Sequence, residues 1–346
     1  MSNRLVNRRF LAMREVDIRP AEVFKSYLSL CDQDCITLFQ KSDFLYYDCP
    51  CCDNKEKLKF EFLFSKFNFQ YHLCQACKSI SVNPRPTPKS IQNFYQNGSS
   101  VAFWASDFYK ITSEKRKALI VNPKAQRLIN LLSIASPESK FNLLDIGAGF
   151  GILLSIFRES QFFEDVVAIE PSPMLFDHLK NLRFKVIQKF VENLNSSDIE
   201  SQLKTDSKRV FVCHELVEHL LRPIEFFSKI NSIMRVGDFF NFTTLVSSGF
   251  DISYLLEEST ALTPPHHLSF FHKDALHKAI ENVGFEIIDF STPGELDVDI
   301  VTKSEKFKRD NIMKMLMNTE KAKKEFQSFL QSNTLSSHVN VLLRKK

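Results

Sequence analysis

The chain has little net charge and no long apolar run. Its net charge is +4 over 346 residues, which gives no strong reason to expect a nucleic-acid partner. No segment is long and uncharged enough to span a bilayer, so we expect no membrane insertion. The first ten residues carry three arginines but lack the apolar core of a signal peptide. These absences predict a cytoplasmic protein, and an apolar share of 44% is sufficient for a substantial core.

Glycine is scarce as well, and its distribution is uneven. Only eight residues are glycine, and three of these stand on alternate positions directly after an apolar run that ends in an aspartate. Glycine lets a backbone turn tightly and approach a ligand where a side chain would collide. A strand, this loop and a following helix would therefore form a cradle for a cofactor. The loop residues predicted to bind it are Asp145, Gly147, Ala148, Gly149, Phe150 and Gly151.

The spacing of these glycines distinguishes between cofactors. A dinucleotide-binding loop has the pattern G-x-G-x-x-G, whereas this loop reads D-x-G-x-G-x-G and resembles the first motif of class I S-adenosylmethionine-dependent methyltransferases. Glu170 ends the next predicted strand about twenty residues beyond the loop, where a carboxylate can accept hydrogen bonds from both ribose hydroxyls of a nucleoside. The two signals together predict S-adenosylmethionine as the cofactor, with Glu170 and Pro171 among its binding residues.

The segment His214-Glu215-Leu216-Val217-Glu218-His219 invites a metalloprotease interpretation. An H-E-x-x-H motif needs histidines four positions apart, but these are five apart, so on a helix their imidazoles would point in different directions. We therefore expect no zinc at this segment. Ligands of open α/β sheets bind at the carboxyl ends of the strands, which favours His214 and Glu215 as residues that line the cofactor.

Four of the eight cysteines form two C-x-x-C pairs, Cys49 with Cys52 and Cys74 with Cys77. Two such pairs on facing turns can present four thiolates tetrahedrally to zinc, which stabilises a module that has little core of its own. Cys51 offers a competing ligand within the first pair. We predict a structural zinc ion held by Cys49, Cys52, Cys74 and Cys77.

Two further motifs carry a narrower resemblance. Cys74-x-x-Cys77 leads into Asn83-Pro84-Arg85-Pro86, and a later loop reads His267-Leu268-Ser269-Phe270-Phe271. With the glycine loop and Glu170, these motifs resemble class I methyltransferases and, more narrowly, zinc-bearing sugar methyltransferases of polysaccharide and deoxysugar pathways. The resemblance extends over roughly residues 15 to 346. It implies an α/β fold with a Rossmann-like seven-stranded methyltransferase sheet, an N-terminal helical segment and a small zinc-ribbon-like module.

The resemblance also implies a reaction. A sugar or nucleotide-sugar would attack the sulfonium methyl group directly, and the protein would align the reactants and remove one proton. In related sugar C-methyltransferases a histidine before Leu-Ser serves as the base and follows a glutamate, whereas here the preceding residue is His266. Both C-methylation and O-methylation therefore stay open. His267 is the first candidate for the base, and His214 is the second.

The predicted elements suggest four consecutive regions. We expect an N-terminal helical segment at residues 1–47, the zinc module at 48–90, a helical connector at 91–140 and the methyltransferase domain at 141–346. Within the last region, strands and helices alternate as expected for a parallel sheet. The polar, lysine-rich residues 302–331 are expected to form one exposed helix.

Two other functions remain open at this stage. Zinc modules also accompany ribosomal-RNA methyltransferases, and residues 49–89 contain more lysine and arginine than aspartate and glutamate. Salt-dependent RNA binding would favour that alternative. A second alternative is a zinc-dependent scaffold that binds the cofactor without reacting, although the glycine loop, Glu170 and the histidine loop speak against it.

Overall fold

A computed structural model describes residues 13–52 and 59–346. The arginine-bearing first ten residues lie outside the described residues. In the described parts of the chain, one large and one small β-sheet are accompanied by a short two-stranded pair. The strands are β1 (Phe44–Leu45), β2 (Phe60–Lys66), β3 (Phe69–Cys74), β4 (Ile80–Val82), β5 (Arg85–Pro86), β6 (Phe141–Ile146), β7 (Phe163–Ile169), β8 (Lys185–Ile187), β9 (Lys208–His214), β10 (Phe239–Leu245), β11 (Ser269–Phe270), β12 (Phe285–Ser291) and β13 (His338–Lys345).

Sixteen α-helices surround these strands in the described residues, and none of them has the length and apolar character needed to cross a membrane. The backbone widens into π-helical turns at Trp104–Phe108 and Lys117–Val121. The helices are α1 (Glu15–Ile18), α2 (Ala21–Leu38), α3 (Pro88–Asn97), α4 (Ser99–Phe103), α5 (Tyr109–Arg116), α6 (Asn122–Ala135), α7 (Ile152–Ser160), α8 (Pro173–Asn181), α9 (Ser196–Glu200), α10 (Pro223–Ile233), α11 (Phe250–Leu255), α12 (Lys273–Val283), α13 (Asp297–Lys303), α14 (Glu305–Arg309), α15 (Asn311–Leu316) and α16 (Glu320–Ser332).

The large sheet has seven strands in the order β12-β13-β10-β9-β6-β7-β8. The five strands from β10 to β8 run parallel, while β13 pairs antiparallel with both of its neighbours. All residues of β6 and β10 are buried, because helices cover both faces of the sheet. The predicted α/β fold with a seven-stranded sheet is confirmed.

The order of the strands creates a crevice at the centre of this sheet. From β6 the chain moves outward to β7 and β8, and it then returns to β9 on the other side of β6. Open α/β sheets bind ligands where the strand order reverses in this way, outside the carboxyl ends of the strands. The glycine loop follows β6 and His214 ends β9, so both lie at this edge.

The small sheet has the order β11-β4-β3-β2, and it draws strands from two distant parts of the chain. Strands β2, β3 and β4 belong to the cysteine-rich region, but β11 comes from the histidine loop. In the register of this pairing, Ser269 lies opposite Ser81 and Phe270 opposite Ile80. The cysteine-rich region and the large-sheet region are therefore interlocked by hydrogen bonds.

The expectation of a single exposed helix at residues 302–331 is wrong. Four short helices, α13 to α16, occupy this region. Ser304, Asp310 and Thr319 accept hydrogen bonds from backbone amides at the starts of three of them, so each begins a new helix. The turns between the helices let Val301 and Leu330 pack together in a small apolar cluster, which one straight exposed helix would not allow.

Candidate active site

The glycine loop leaves open space above the carboxyl end of β6. Gly147 and Gly149 have positive φ angles of 72° and 55°. The nearest atom to a Cβ placed on Gly149 would be the carbonyl oxygen of Gly147, 4.0 Å away. A backbone of this shape can approach a bound cofactor closely without a side chain in between. The loop therefore fits the S-adenosylmethionine predicted for it.

Glu170 holds the rim of this loop. One of its carboxylate oxygens accepts a hydrogen bond from the amide of Gly149 and the other from the amide of Ser172, both at 3.0 Å. Glu170 is 6% exposed, and this burial raises the pKa of its carboxyl group. Each carboxylate oxygen has a second lone pair. These lone pairs are the groups that ribose hydroxyls would use.

Replacing Glu170 by alanine should weaken binding of S-adenosylhomocysteine by about 10- to 100-fold, because hydrogen bonds to a charged group are lost. Isothermal titration calorimetry measures this affinity directly. Replacement of the exposed Glu192 by alanine is the control and should leave it unchanged. Equal affinities for the Glu170 variant and the wild type would contradict the ribose contact.

The other predicted cofactor residues lie around this loop. Phe150 stacks on Tyr109 of α5 with ring centroids 4.0 Å apart, so an aromatic pair covers one side of the loop. Asp145 lies one residue before the end of the buried strand β6, and burial, followed by the nearby Glu170, raises its pKa to about 8. Ala148 and Pro171 are partly buried beside these groups. Tyr109 thus links the helical connector to the cofactor loop.

Glu215 lies at the carboxyl end of β9 in a strained backbone conformation, with φ at 52°. Its Oε1 accepts hydrogen bonds from Lys124 Nζ at 2.6 Å and from Thr243 Oγ1 at 2.7 Å. His338 Nδ1 lies 3.5 Å from the same oxygen. Strained residues of this kind are concentrated at functional sites. Lys124 of α6 and His338 of β13 were not predicted from the sequence, since only the tertiary packing of these elements brings them to Glu215.

His214 occupies a different environment from Glu215. Its Nε2 lies 3.0 Å from Oδ1 of Asn241 on the neighbouring strand β10. Burial lowers the pKa of His214 to about 4, with the positive charge of Lys124 as the next contribution. One nitrogen of this ring is thus engaged with the sheet.

His267 has a fixed orientation and, among the described residues, one ring nitrogen without a hydrogen-bond partner. Its Nδ1 lies 2.6 Å from the carbonyl oxygen of Ala261. A carbonyl oxygen can only accept, so Nδ1 carries the proton and Nε2 of the neutral ring is left with a lone pair. Burial is the main reason why the pKa of His267 is lowered to about 4. The neutral imidazole is therefore the form present at pH 7.

His267 belongs to a cluster with His219 and Glu218. The rings of His219 and His267 meet edge to face with centroids 4.7 Å apart, and His219 Nδ1 lies 3.1 Å from the hydroxyl oxygen of Tyr95. One ligand atom from each of Glu218, His219 and His267 falls within 4.8 Å of the other two, a set that could hold a metal ion. Burial and then Glu215 raise the pKa of Glu218 to about 8, so in the metal-free state its carboxyl group is largely protonated at pH 7.

His266 lies behind this cluster and is held in the core, with its ring centroid 6.2 Å from that of His219. Ser100 donates its hydroxyl proton to Asp34 at 2.6 Å, so the same hydroxyl oxygen can accept from His266 Nε2 at 3.1 Å. His266 is only 7% exposed and lies against Phe94 with ring centroids 4.8 Å apart. Its role is to anchor the loop that carries His267.

The cofactor loop and the histidine loop are joined by the segment after β9. The side chain of Leu216 packs beside Gly147 of the cofactor loop. Two residues later, the carbonyl oxygen of Glu218 accepts a hydrogen bond of 2.8 Å from the amide of Leu268. One short segment therefore sets the position of His267 relative to the cofactor loop.

The two cysteine pairs meet in space. Cys49 Sγ lies 3.7 Å from Cys77 Sγ, and Cys52 Sγ lies 3.8 Å from Cys74 Sγ. All four sulfur atoms lie within 4.8 Å of one another, and Cys51 is buried outside this group. Zinc–sulfur bonds of about 2.3 Å in a tetrahedron place the sulfurs about 3.8 Å apart. The four thiols therefore fit a zinc ion.

The cysteine-rich region contacts the histidine loop directly. The hydroxyl of Tyr71 on β3 donates a 2.8 Å hydrogen bond to the carbonyl oxygen of His267. Arg85 is buried and donates to Ser269 Oγ at 3.0 Å. The amide of Val82 donates to the carbonyl oxygen of Leu268 at 3.0 Å. The cysteine-rich region thus holds the histidine loop through three hydrogen bonds.

Comparison with solved structures finds several that are similar to this chain. Similar solved structures include a possible histamine N-methyltransferase from Thermotoga maritima, with 13% identity, a TM-score of 0.41, and coverage of 69% of this chain and 98% of that one. A methyltransferase from Archaeoglobus fulgidus has 16% identity, a TM-score of 0.44, and coverage of 69% and 100%. A plantazolicin methyltransferase has 13% identity, a TM-score of 0.46, and coverage of 74% and 94%.

The comparison with protein families identifies the family. No curated protein matches the chain. A sequence profile described as a methyltransferase domain, however, matches residues 116–289, which is half of the chain. This range contains the glycine loop, Glu170 and the histidine loop. The protein belongs to this methyltransferase domain family, and it is a class I S-adenosylmethionine-dependent methyltransferase.

Proposed function

We propose that the protein transfers a methyl group to a sugar or nucleotide-sugar of surface polysaccharide or deoxysugar biosynthesis. The observation that carries this proposal is the orientation of His267, whose Nδ1 donates to Ala261 and whose Nε2 retains a lone pair. S-adenosylmethionine, when bound, supplies an electrophilic methyl group with a neutral thioether as leaving group. The protein then needs no acid, but it must accept the proton that the attacking hydroxyl or carbon of the sugar loses.

In this proposal His267 takes that proton on Nε2. The bond between the methyl group and the acceptor forms as the proton leaves, and the imidazolium that results later returns the proton to water. Glu170 and the backbone at Gly149 hold the nucleoside end of the cofactor. His219 packs against the ring of His267 and limits its motion.

The side chains near His267 support a polar, hydroxyl-rich acceptor. Tyr95, Lys124, Glu215, His219 and His338 provide both donors and acceptors of hydrogen bonds. Tyr95 retains 40% of its surface exposed, so it is accessible from outside. Sugars are bound through such groups, because each hydroxyl can donate one hydrogen bond and accept two.

The four cysteines are proposed to hold a structural zinc ion. No open coordination position is needed for this role, since four thiolates complete a tetrahedron. The zinc would stabilise the turns that lead into β3 and β4, and through them the backbone at His267.

The decisive experiment incubates the protein with methyl-labelled S-adenosylmethionine and a panel of nucleotide-sugars and free sugars. Label in one class of sugar supports the proposal. Label in ribosomal RNA instead would overturn the sugar assignment in favour of an RNA methyltransferase. Failure to form S-adenosylhomocysteine with any acceptor would favour a cofactor-binding scaffold.

The pH dependence of the rate should reflect the low pKa of His267. Only the neutral ring accepts a proton, and its pKa is lowered to about 4 by burial. The rate should therefore stay constant from pH 8 down to about pH 5 and fall towards pH 4, provided that His267 is the base. Charges of Arg19, Glu215 and His338 contribute smaller effects on the same ring. An acid limb centred near the ordinary histidine pKa of about 6.5 would contradict this expectation.

Acid unfolding must be separated from this titration. Buried neutral histidines are protonated in the unfolded chain below its pKa of about 6.5, so they destabilise the fold as the pH falls. Circular dichroism recorded at each pH shows whether the protein is still folded. Only the change in rate over the folded range is attributed to His267.

A further inference from the structure

Two arginines lie on one aromatic cluster that the proposed reaction does not use. The cluster consists of Phe24, Tyr27, Trp104 and Phe108, with Trp104 and Phe108 stacked at a centroid distance of 4.1 Å. Tyr27 lies 4.9 Å from Trp104, and Phe24 lies 6.3 Å from Phe108. The residues come from α2 and from the helical region before α5. We call this group the Trp104 cluster.

Each arginine places its guanidinium group over a ring of this cluster. The Cζ atom of Arg19 lies 5.1 Å from the ring centroid of Phe24. The Cζ atom of Arg116 lies 5.6 Å from the ring centroid of Trp104. Packing on an aromatic ring fixes the plane of a guanidinium group and leaves its N–H groups available at the edge. Both arginines are therefore oriented before any ligand binds.

Neither guanidinium has its positive charge fully matched within the described residues. Arg116 makes no hydrogen bond or ion pair there. Nη1 of Arg19 lies 3.7 Å from a carboxylate oxygen of Glu15, and Glu15 also faces Lys303. The Nε of Arg19 is buried and has no hydrogen-bond partner among the described residues. Burial, and then the charge of Arg19, lowers the pKa of Arg116 to about 10. Two cations held together in this way create a site of positive potential.

The Trp104 cluster lies beside the histidine loop that carries the catalytic candidate. Tyr27 of the Trp104 cluster lies 5.6 Å from the ring of His266, the neighbour of His267 in the histidine loop. The charge of Arg19 contributes to the low pKa of His267. The negative charge of Glu215 raises the pKa of Arg116, whereas burial lowers it.

We propose that Arg19 and Arg116 bind a phosphate or carboxylate group of the methyl acceptor and hold it beside His267. Guanidinium groups recognise both anions through paired N–H donors, and the bonds are strengthened by charge. This inference rests on the proposed function, because it places the acceptor beside His267. It narrows the acceptor to an anionic one, such as a sugar that carries a phosphate, a diphosphate or a uronic acid.

The binding experiment needs no turnover. Inorganic pyrophosphate and glucuronate, as phosphate and carboxylate probes, are titrated calorimetrically into protein saturated with S-adenosylhomocysteine. We expect the wild type to bind at least one of them, and Arg19→Gln and Arg116→Gln each to weaken that binding by about 10- to 100-fold. Arg158→Gln is the matched control, because Arg158 also packs on a ring, that of Phe184 at 4.0 Å, but on the exposed side of α7. No binding to the wild type, or equal binding to all variants, would overturn the proposal.

A second arm distinguishes the acceptor from the cofactor, whose methionine part also carries a carboxylate. S-adenosylhomocysteine contains this carboxylate and 5′-methylthioadenosine does not. The arginine variants should bind both compounds as tightly as the wild type does. Weaker binding of S-adenosylhomocysteine alone would mean that the arginines serve the cofactor, and it would overturn the acceptor assignment.

Thermal unfolding separates a binding role from a structural one. Removal of a poorly compensated charge should leave the melting temperature of the free Arg116→Gln variant equal to or above that of the wild type. The stabilisation produced by the bound anion should disappear in that variant. A lower melting temperature together with unchanged anion binding would show a structural role instead. If the arginine variants lose anion binding but the wild type labels no sugar, the proposed function is refuted and the anion site stands.

Discussion

Replacement of His267 by glutamine should lower the rate of methyl transfer by about 10²- to 10⁴-fold, the usual contribution of a general base. Glutamine preserves much of the side-chain volume and can still donate to the carbonyl oxygen of Ala261, but it cannot accept a proton. Affinity for S-adenosylhomocysteine should be unchanged, because the cofactor is held by the glycine loop and Glu170. Single-turnover assays with labelled cofactor measure the chemical step, and calorimetry measures the affinity.

Two matched variants sharpen this test. His277→Gln alters a histidine that packs on Phe290 at 4.2 Å, outside the candidate site, and should have no effect on the rate. His214→Gln tests the second candidate for the base. If the loss of rate follows His214 rather than His267, the assignment of the base is refuted. Dependence of the wild-type rate on an added divalent cation would instead favour a metal ion at Glu218, His219 and His267.

Replacement of Cys74 by serine should remove zinc from the protein and abolish most of its activity. Cys74 ends β3, the strand whose Tyr71 hydroxyl holds the carbonyl oxygen of His267. Structural zinc contributes about 10–16 kcal/mol to the folding of small zinc-finger peptides, so the loss of one ligand should disorder the turns around it. Binding of S-adenosylhomocysteine should persist, because the large sheet carries the cofactor loop.

Metal analysis by mass spectrometry is the direct measurement for this variant. The wild type should contain about one zinc ion per chain, as expected for one tetrahedral site. Cys51→Ser is the control, since Cys51 is equally buried but lies outside the group of four thiols. A zinc ion retained by Cys74→Ser, or lost from Cys51→Ser, would show that the ligand set is different.

Local patterns predicted the large sheet well. The apolar run before the glycine loop, for example, forms the fully buried strand β6. An apolar run between turn-forming residues is sufficient to predict a buried strand. The glycine loop and Glu170 were also recognisable, because their spacing is fixed by the path of the chain between two neighbouring strands.

Contacts between distant segments were beyond sequence analysis. Strand β11 is two residues long, and its partner β4 lies far earlier in the chain. Arg19, between α1 and α2, and Arg116, at the end of α5, reach one aromatic cluster from separate parts of the chain. His338 meets Glu215 because β13 is inserted antiparallel beside β10. No periodicity in a single sequence reports such pairings, since they depend on how complete elements pack.

The pairing of β11 with β4 affects the order in which the folding chain becomes able to bind the cofactor and to transfer the methyl group. Contacts between residues remote in sequence close large loops, and these form late in folding because of their entropic cost. The base candidate sits directly before this pairing, whereas the cofactor loop joins two strands that are close in sequence. A folding chain should therefore acquire its capacity to bind cofactor before its capacity to react. During biosynthesis this order would produce a transient species that is loaded with methyl donor but still inert.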